Sequence, residues 1–228
     1  MRSLVSLILL IIIFVGLALS LAEIPFSLHE TEVGDHYIDR GRDETGASNI
    51  VTSVVVGYRG FDTLGEVTVL FVAAIGLGAV LATRKKGERG EIEPASLVLN
   101  TGCRFLFPLM LFFGGYIFIH GHLTPGGGFQ GGAIIASAFL LVYMGCRGRR
   151  INERGSQAVE SSGGLVFILM GLLGLTVGGN YFLSNFLPKG ELNTLFSAGV
   201  IPVIYVAIGF KVGSELSRVI DNLVEESE

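Results

Sequence analysis

Charged residues are scarce in this sequence, and their scarcity excludes an ordinary soluble domain. Asp, Glu, Lys and Arg make up 16% of the 228 residues, whereas about a quarter of a typical soluble domain is charged. Half of the residues are hydrophobic, and many of them lie in runs of about 20 residues, the length that crosses the hydrocarbon core of a bilayer. The composition therefore predicts an integral protein of the cell membrane.

Cysteine is also rare, and the motifs of redox cofactors and metal sites are missing from the sequence. Cys103 and Cys146 lack CxxC spacing and have no neighbouring histidine, so we expect two inert thiols. No Gly-rich dinucleotide fingerprint, Walker motif or iron–sulfur cysteine cluster is present in the sequence. We expect no cofactor, no metal, no catalytic site and no nucleic-acid partner.

Six apolar segments predict an all-α membrane protein with about six transmembrane helices. They lie at 4–21, 63–82, 95–119, 126–143, 160–177 and 195–212. The fourth and fifth are extended backwards through glycine-rich sequence, because glycine is common in membrane helices. The first segment has an alternative interpretation as a cleaved signal peptide, since Arg2 precedes it and Ser20-Leu21-Ala22 resembles a cleavage site. We interpret it as a retained helix.

Basic residues are distributed unevenly between the connecting segments, and this predicts the orientation. With six spans and the N-terminus inside, 12 of the 16 Lys and Arg residues fall on the cytoplasmic side. Such a bias favours a chain with both termini in the cytoplasm.

The segments between the spans predict a two-part organisation. The charged, glycine-interrupted stretch 23–49 is interpreted as an external loop, and the β-branched run 49–60 as either an extended segment or a short interfacial helix. A polar linker at 85–94 separates a two-helix part, 1–84, from a four-helix part, 95–228. No convincing internal repeat is present, so we expect that the chain needs other membrane proteins as partners to move an ion.

Two acidic residues at the start of the second span are candidates for an ion pathway. Asp62 and Glu66 are four residues apart and therefore share a helix face. A carboxylate that enters a bilayer is costly unless it faces protein or water. Alternatively, Asp62 caps the helix and Glu66 is stabilised by the positive end of the helix dipole.

The link between the third and fourth spans carries two histidines and a run of glycines. His120 and His122 titrate near neutrality and could relay protons, whereas a metal-ligand role is disfavoured because the pair has no accompanying carboxylate or cysteine. The residues that follow predict a tight, irregular turn, either as a packing device or as a source of free carbonyls along an ion path. They are Pro125, Gly126, Gly127 and Gly128.

Lys211, near the inner end of the sixth span, has two interpretations. Its ammonium either reaches the membrane surface or lies inside the bundle, paired with a carboxylate of a neighbouring helix. Glu160, at the start of the fifth span, is predicted to lie at the interface.

Two stretches resemble subunits of a known class of complex. The sequence around Gly57-Tyr58-Arg59-Gly60-Phe61-Asp62-Thr63-Leu64-Gly65-Glu66 resembles the C-terminal end of the large pump subunit, MrpA, of Mrp-type cation/proton antiporters, and equally the small subunit that replaces it in archaeal membrane-bound hydrogenases. Residues 101–212, with the glycine-rich turn and Phe196-Ser197-Ala198-Gly199-Val200-Ile201-Pro202, resemble the MnhB/MrpB subunit. The order suggests a fusion of two neighbouring subunits.

The resemblance implies a membrane subunit of a complex that exchanges Na⁺ for H⁺, with other membrane subunits as partners. Glu66 corresponds to the family's ion-path carboxylate. The pump module of MrpA is absent from the sequence, so we favour an archaeal hydrogenase or sulfur-reducing complex over a free-standing antiporter. The alternative is a scaffold subunit that joins the pump and redox subunits without conducting ions.

Overall fold

The computed structural model describes residues 2–23, 32–82, 95–146, 151–178 and 181–227. These residues contain helices and connecting segments but no β-strand. The α-helices are α1 Arg2–Glu23, α2 Glu32–Thr45, α3 Ile50–Thr52, α4 Gly60–Ala82, α5 Leu97–Ile119, α6 Gly128–Gly145, α7 Glu153–Val177 and α8 Ile201–Ser227, and a π-helix, Ser53–Tyr58, joins α3 to α4. The predicted all-α class is confirmed.

The chain divides into two compact units. Met1–His36 contains α1 and the start of α2, and Tyr37–Glu228 contains the rest of α2 and all later helices. The predicted linker 85–94 and the basic residues 147–150 lie outside the described residues.

Four helices of the described part are long and apolar enough to cross a bilayer. They lie at Gly60–Leu81, Leu97–Ile119, Gly128–Gly145 and Glu153–Val177, and a shorter apolar stretch occupies Leu7–Ala22 within α1. The prediction of a multi-pass membrane protein is confirmed, whereas six spans and cytoplasmic termini stay predictions. The sixth predicted segment does not reach these limits, because α8 carries Lys211, Glu215 and Arg218 within one 18-residue window.

Part of the predicted external loop is helical, so the loop interpretation of 23–49 is wrong for residues 32–45. Acidic Glu32 and Asp35 lie in the first turn of α2 and basic Arg42 in its last turn, and this arrangement complements the helix dipole. Gly41 does not break the helix. A Cβ atom there would lie 3.4 Å from Ser53 Cβ, so this glycine permits a close contact with the π-helix.

The described boundaries differ from the predicted ones at two further places. Residues 50–58 are helical rather than extended, with Asn49 as the N-cap that accepts a hydrogen bond from Val51 N. The last helix begins at Ile201, six residues later than predicted, and continues to Ser227. Gly199 precedes it with a φ of 60°, a conformation that glycine adopts without steric cost.

Helices α5, α6 and α8 pack closely because glycines lie at their crossings. A Cβ atom at Gly131 would lie 2.6 Å from Gly114 O of α5, and one at Gly132 would lie 2.9 Å from Gly213 N of α8. Both separations are shorter than real Cβ contacts, so a larger residue would force the helices apart. The glycines of α6 thus allow backbone to approach backbone.

The short helix α3 binds the glycine-rich turn. Thr52 Oγ1 donates a hydrogen bond of 2.7 Å to Gly121 O and lies 2.9 Å from the Tyr205 hydroxyl of α8. Asn49 Nδ2 donates to Gly121 O and Thr124 O, both at 3.0 Å. These contacts satisfy turn carbonyls that regular helix geometry leaves without partners.

Candidate functional site: a buried charge cluster

Lys211 and Glu215 form a buried ion pair on α8. Lys211 Nζ donates a hydrogen bond of 3.0 Å to Glu215 Oε2, and the two side chains are 10% and 0% exposed. Their i, i+4 spacing places both on one face of the helix. Charges removed from water in this way are costly unless they are paired, and in membrane proteins they mark pathways for ions and protons.

A second ion pair lies one turn further along the same helix. Arg218 Nη1 of α8 approaches Glu160 Oε2 of α7 to 2.9 Å, and the Glu160 side chain is 5% exposed. Glu160 is therefore buried between helices, and the prediction of an interfacial position is wrong. We call the four residues Lys211, Glu215, Arg218 and Glu160 the charge cluster.

Three helices enclose the lysine of the charge cluster. A Cβ atom at Gly163 of α7 would lie 3.1 Å from Lys211 Cβ, so a glycine makes room for the lysine stem. Its ammonium lies 4.9 Å from the centroid of the Phe71 ring of α4, which is the geometry of a cation–π contact. Lys211 is ten residues into α8, about 15 Å from its start, and this distance is about half the thickness of a hydrocarbon core of roughly 30 Å.

The cluster has spare capacity for a proton. Glu215 Oε1 is buried and has no hydrogen-bond partner among the described residues. A carboxylate with one paired and one unpaired oxygen can accept a proton on the unpaired oxygen. With two cationic and two anionic side chains, the cluster is formally neutral, so its ion pairs limit the cost of burial.

Asp62 and Glu66 lie on the surface of the described chain. Arg59 Nε donates a hydrogen bond of 2.6 Å to Asp62 Oδ2, and Asp62 lies in the first turn of α4. Glu66 is exposed and forms no hydrogen bond or ion pair with any described residue. A protein-facing position for Glu66 would thus require another protein chain and stays a prediction.

The predicted histidines lie near the end of α5. His120 is partly exposed, and its ring stacks on Tyr116 with centroids 4.2 Å apart. His122 is fully buried, and neither of its ring nitrogens has a hydrogen-bond partner among the described residues. Burial lowers the pKa of His122, because desolvation disfavours the charged imidazolium.

The predicted turn consists of residues that lie close to neighbouring backbone. A Cβ atom at Gly126 would lie 2.8 Å from Ile117 O, and one at Gly128 would lie 2.6 Å from Ile208 Cβ. Gly127 has a φ of 154°, and Pro125 precedes these three glycines. The contacts support the packing role that the sequence left open.

Sequence reasoning identified one member of the charge cluster as an ion-path candidate and missed the other three. Lys211 is inside the bundle, as one of its two interpretations required, but its carboxylate partner is on its own helix. The predicted span ended at Val212, which left Glu215 and Arg218 outside it. A period of three to four residues through Lys211, Glu215 and Arg218 would have signalled one charged helix face. No described hydrogen bond or ion pair joins any two of Asp62, Glu66, His120, His122 and Lys211.

Two family profiles match adjacent parts of the chain. Residues 98–218 match the profile described as a domain related to the MnhB subunit of Na⁺/H⁺ antiporters. Residues 1–95 match the MbhE profile, which describes the E-type component of MBH. Both matches agree with the resemblance inferred from the motifs.

Similar proteins include one curated relative and two solved structures. The B-type component of the Na⁺/H⁺ antiporter of Alkalihalophilus pseudofirmus is 38% identical over 126 residues, which are 50% of this chain and 88% of the relative. A chain in the structure of the membrane-bound sulfane sulfur reductase, an archaeal respiratory membrane complex, is 46% identical with a TM-score of 0.78, and 98% of each chain is covered. A chain of the Mrp complex from Dietzia sp. DQ12-45-1b is 25% identical with a TM-score of 0.71, covering 97% of this chain and 26% of that one.

The profile match over 98–218 spans more than half of the 228 residues. Similarity to the sulfane sulfur reductase chain extends over nearly the whole length of both proteins. The chain therefore belongs to the family of membrane proteins related to the MnhB subunit of Na⁺/H⁺ antiporters.

Proposed function

We propose that this protein is a membrane subunit of an Mrp-type module and contributes residues to its Na⁺/H⁺ translocation path. The observation that carries the proposal is the buried Lys211–Glu215 pair, about halfway across the bilayer on α8. Ionisable side chains at this depth are rare in membrane proteins and are functional by default.

The charges of the chain divide the proposed path into two halves. Glu66 lies six residues into α4, about 9 Å from its start, whereas Phe71 and the Lys211 ammonium meet near the middle. Glu215, Arg218 and Glu160 continue from there toward the end of α8. In our proposal Asp62 and Glu66 receive the ion at one surface, and the charge cluster passes a proton through the other half.

Partner subunits complete the proposed path. Glu66 is exposed on a helix that is otherwise apolar, and a carboxylate facing lipid at the helix centre would cost about 3 kcal/mol on insertion scales. We therefore place a neighbouring membrane protein, with a wet or basic surface, against this face of α4. An archaeal respiratory complex is the favoured parent, because the similar chain of the sulfane sulfur reductase is covered over 98% of its length.

We further propose that the chain is a fusion of two subunits. The first part is 1–84 and the second 95–228, joined by a cytoplasmic linker at 85–94. This boundary is consistent with the positions of the two family profiles, 1–95 and 98–218.

The test replaces the surface carboxylate in the intact complex. Glu66→Gln preserves size and hydrogen bonding but removes the charge, so we expect normal assembly with at least about tenfold slower coupled Na⁺/H⁺ flux, as for the loss of one charge-assisted contact. Asp62→Asn should act more mildly, because a helix start tolerates Asn. Flux would be measured in proteoliposomes over a series of Na⁺ concentrations and pH values.

The matched control is Glu153→Gln, which alters an exposed carboxylate in the first turn of α7. We expect this variant to retain full flux. Unchanged coupling in an assembled Glu66→Gln complex would remove Glu66 from the path and favour the scaffold alternative.

A further inference from the structure

A long apolar groove runs along the bundle beside α5, α6, α7 and α8. Helices α5 and α7 form its walls, α6 contributes to the α5 side, and α8 forms its floor. Its volume is ≈960 Å³, and a second cavity of ≈930 Å³ continues it, sharing Ile119, Val159, Val206 and Phe210 with the first. We call the first cavity the α5–α7 groove.

The α5–α7 groove is polar at one end only. Arg104 lies there together with Asn152 and Ser217, whereas Phe107, Leu111 and Ile119 line the remainder along α5. Ser156 Oγ donates to Ser214 O across the same end, which shows that the start of α7 and the end of α8 meet at this level. Arg104 is exposed and has no ion-pair partner among the described residues.

The dimensions of the groove disfavour a helix as its occupant. From Arg104 to Ile119 the α5 wall is about 22 Å long, so ≈960 Å³ leaves a mean cross-section of about 40 Å². A helix about 10 Å in diameter needs about 80 Å². Flexible hydrocarbon chains fit this narrow space, and about 22 Å exceeds half of a hydrocarbon core of roughly 30 Å.

We propose that the α5–α7 groove is a binding site for an anionic phospholipid. Its acyl chains lie along Phe107, Leu111 and Gly115, and its phosphate binds the Arg104 guanidinium at the polar end. Guanidinium and phosphate form bidentate, charge-assisted hydrogen bonds, and a basic pocket between membrane helices suits an anionic headgroup. The site is separate from the charge cluster and from Glu66.

Two variants test the two ends of the site in the intact complex. Gly115→Leu fills the groove without distorting the helix, because a Cβ atom at Gly115 meets nothing within 4 Å. Arg104→Gln removes the proposed phosphate ligand. After delipidation, the complex would be incubated with phosphatidylglycerol or phosphatidylcholine, washed, and analysed by native mass spectrometry for bound lipid.

We expect wild-type complex to retain phosphatidylglycerol in preference to phosphatidylcholine. Each variant should retain about tenfold less phosphatidylglycerol, since one charge-assisted contact or the chain volume is lost. The matched controls are Gly102→Leu, at another open position of α5 outside the groove, and Arg154→Gln, at an exposed arginine of α7. Both controls should retain lipid as the wild type does.

A photo-crosslinking amino acid, p-benzoylphenylalanine, at position 115 identifies the occupant directly. A phospholipid adduct in the mass spectrum supports the proposal. An adduct with a peptide of another protein of the complex, equal retention of both lipids, or undiminished phosphatidylglycerol in Arg104→Gln would overturn it.

Discussion

Lys211 is held in place by contacts of three different kinds. Its ammonium is hydrogen-bonded to Glu215 and lies over the Phe71 ring, and its stem lies against the glycine backbone of α7 at Gly163 and Gly164. Each contact compensates part of the cost of removing a cation from water. Removal of either charged partner would leave the other buried without compensation.

We therefore expect Lys211→Met to destabilise the complex by about 3–5 kcal/mol, because Glu215 would remain buried without its cation. Thermal unfolding of the purified complex measures this change. Lys189→Met is the control, since this exposed lysine donates to a backbone carbonyl, Asp43 O. An equally large loss in the control, or none in Lys211→Met, would contradict a buried, interacting pair.

His122 makes stability depend on pH in a direction that its burial fixes. Its folded-state pKa is lowered, so between the unfolded value of about 6.5 and the lower folded value the unfolded state binds more protons. The stabilising contribution of the neutral ring is present above pH of about 6.5 and decreases as the pH falls below it. The neighbouring charge of His120 acts on this pKa in the same direction as burial.

Thermal unfolding between about pH 7.5 and about pH 5, a range that brackets the unfolded pKa of histidine, measures this effect. The wild-type protein should lose stability over that range, and His122→Gln should lose clearly less. His120→Gln, at a partly exposed ring, should retain the wild-type slope. A pH dependence that is identical in the wild type and in His122→Gln would rule out this residue as its source.

At the scale of the elements, glycine determines how closely the helices of the second unit approach. The apolar segments predicted the existence of α4 to α7, because length and hydropathy depend on local composition alone. The helix at 32–45 was not predicted, since its two glycines and its charges are typical of a loop. The crossing at Gly41 explains one of these glycines, and a contact of this kind cannot be inferred from local sequence.

Gly131→Ala tests the close crossing of α5 and α6. The new Cβ atom would lie 2.6 Å from Gly114 O, so the helices must separate, at a cost of about 1–3 kcal/mol. Gly76→Ala is the control, because nothing lies within 4 Å of its Cβ position and Ala favours a helix over Gly. Chemical or thermal unfolding of the complex compares the two, and equal stability would contradict the crossing.

At the scale of the whole molecule, the motifs predicted the family, and the fold explains why only part of the site followed from sequence. Lys211 is conspicuous in an apolar segment, but Glu215 and Arg218 lie where the chain resumes ordinary polarity. Glu160 pairs with Arg218 across 58 residues of sequence, and no local pattern encodes such a contact. Cys103 and Cys146, which the sequence treats as unrelated, both line the α5–α7 groove.

The number of spans and the position of the termini stay predictions for the whole molecule. Helix α8 is central to them, because it lies buried among α4, α6 and α7 although its charges exceed the limit for an apolar span. A helix whose charges face protein rather than lipid can cross a bilayer.

The central claim is that the charge cluster conducts rather than merely supports the fold. The double variant Lys211→Met with Glu215→Leu separates these roles, because an apolar pair of similar size commonly preserves or increases stability where an ion pair was buried. We expect the intact complex to assemble with near-normal thermal stability. Coupled Na⁺/H⁺ flux in proteoliposomes should nevertheless fall by at least about tenfold, as for the loss of a charge-assisted contact, whereas wild-type flux in a stable, fully assembled double variant would contradict the account.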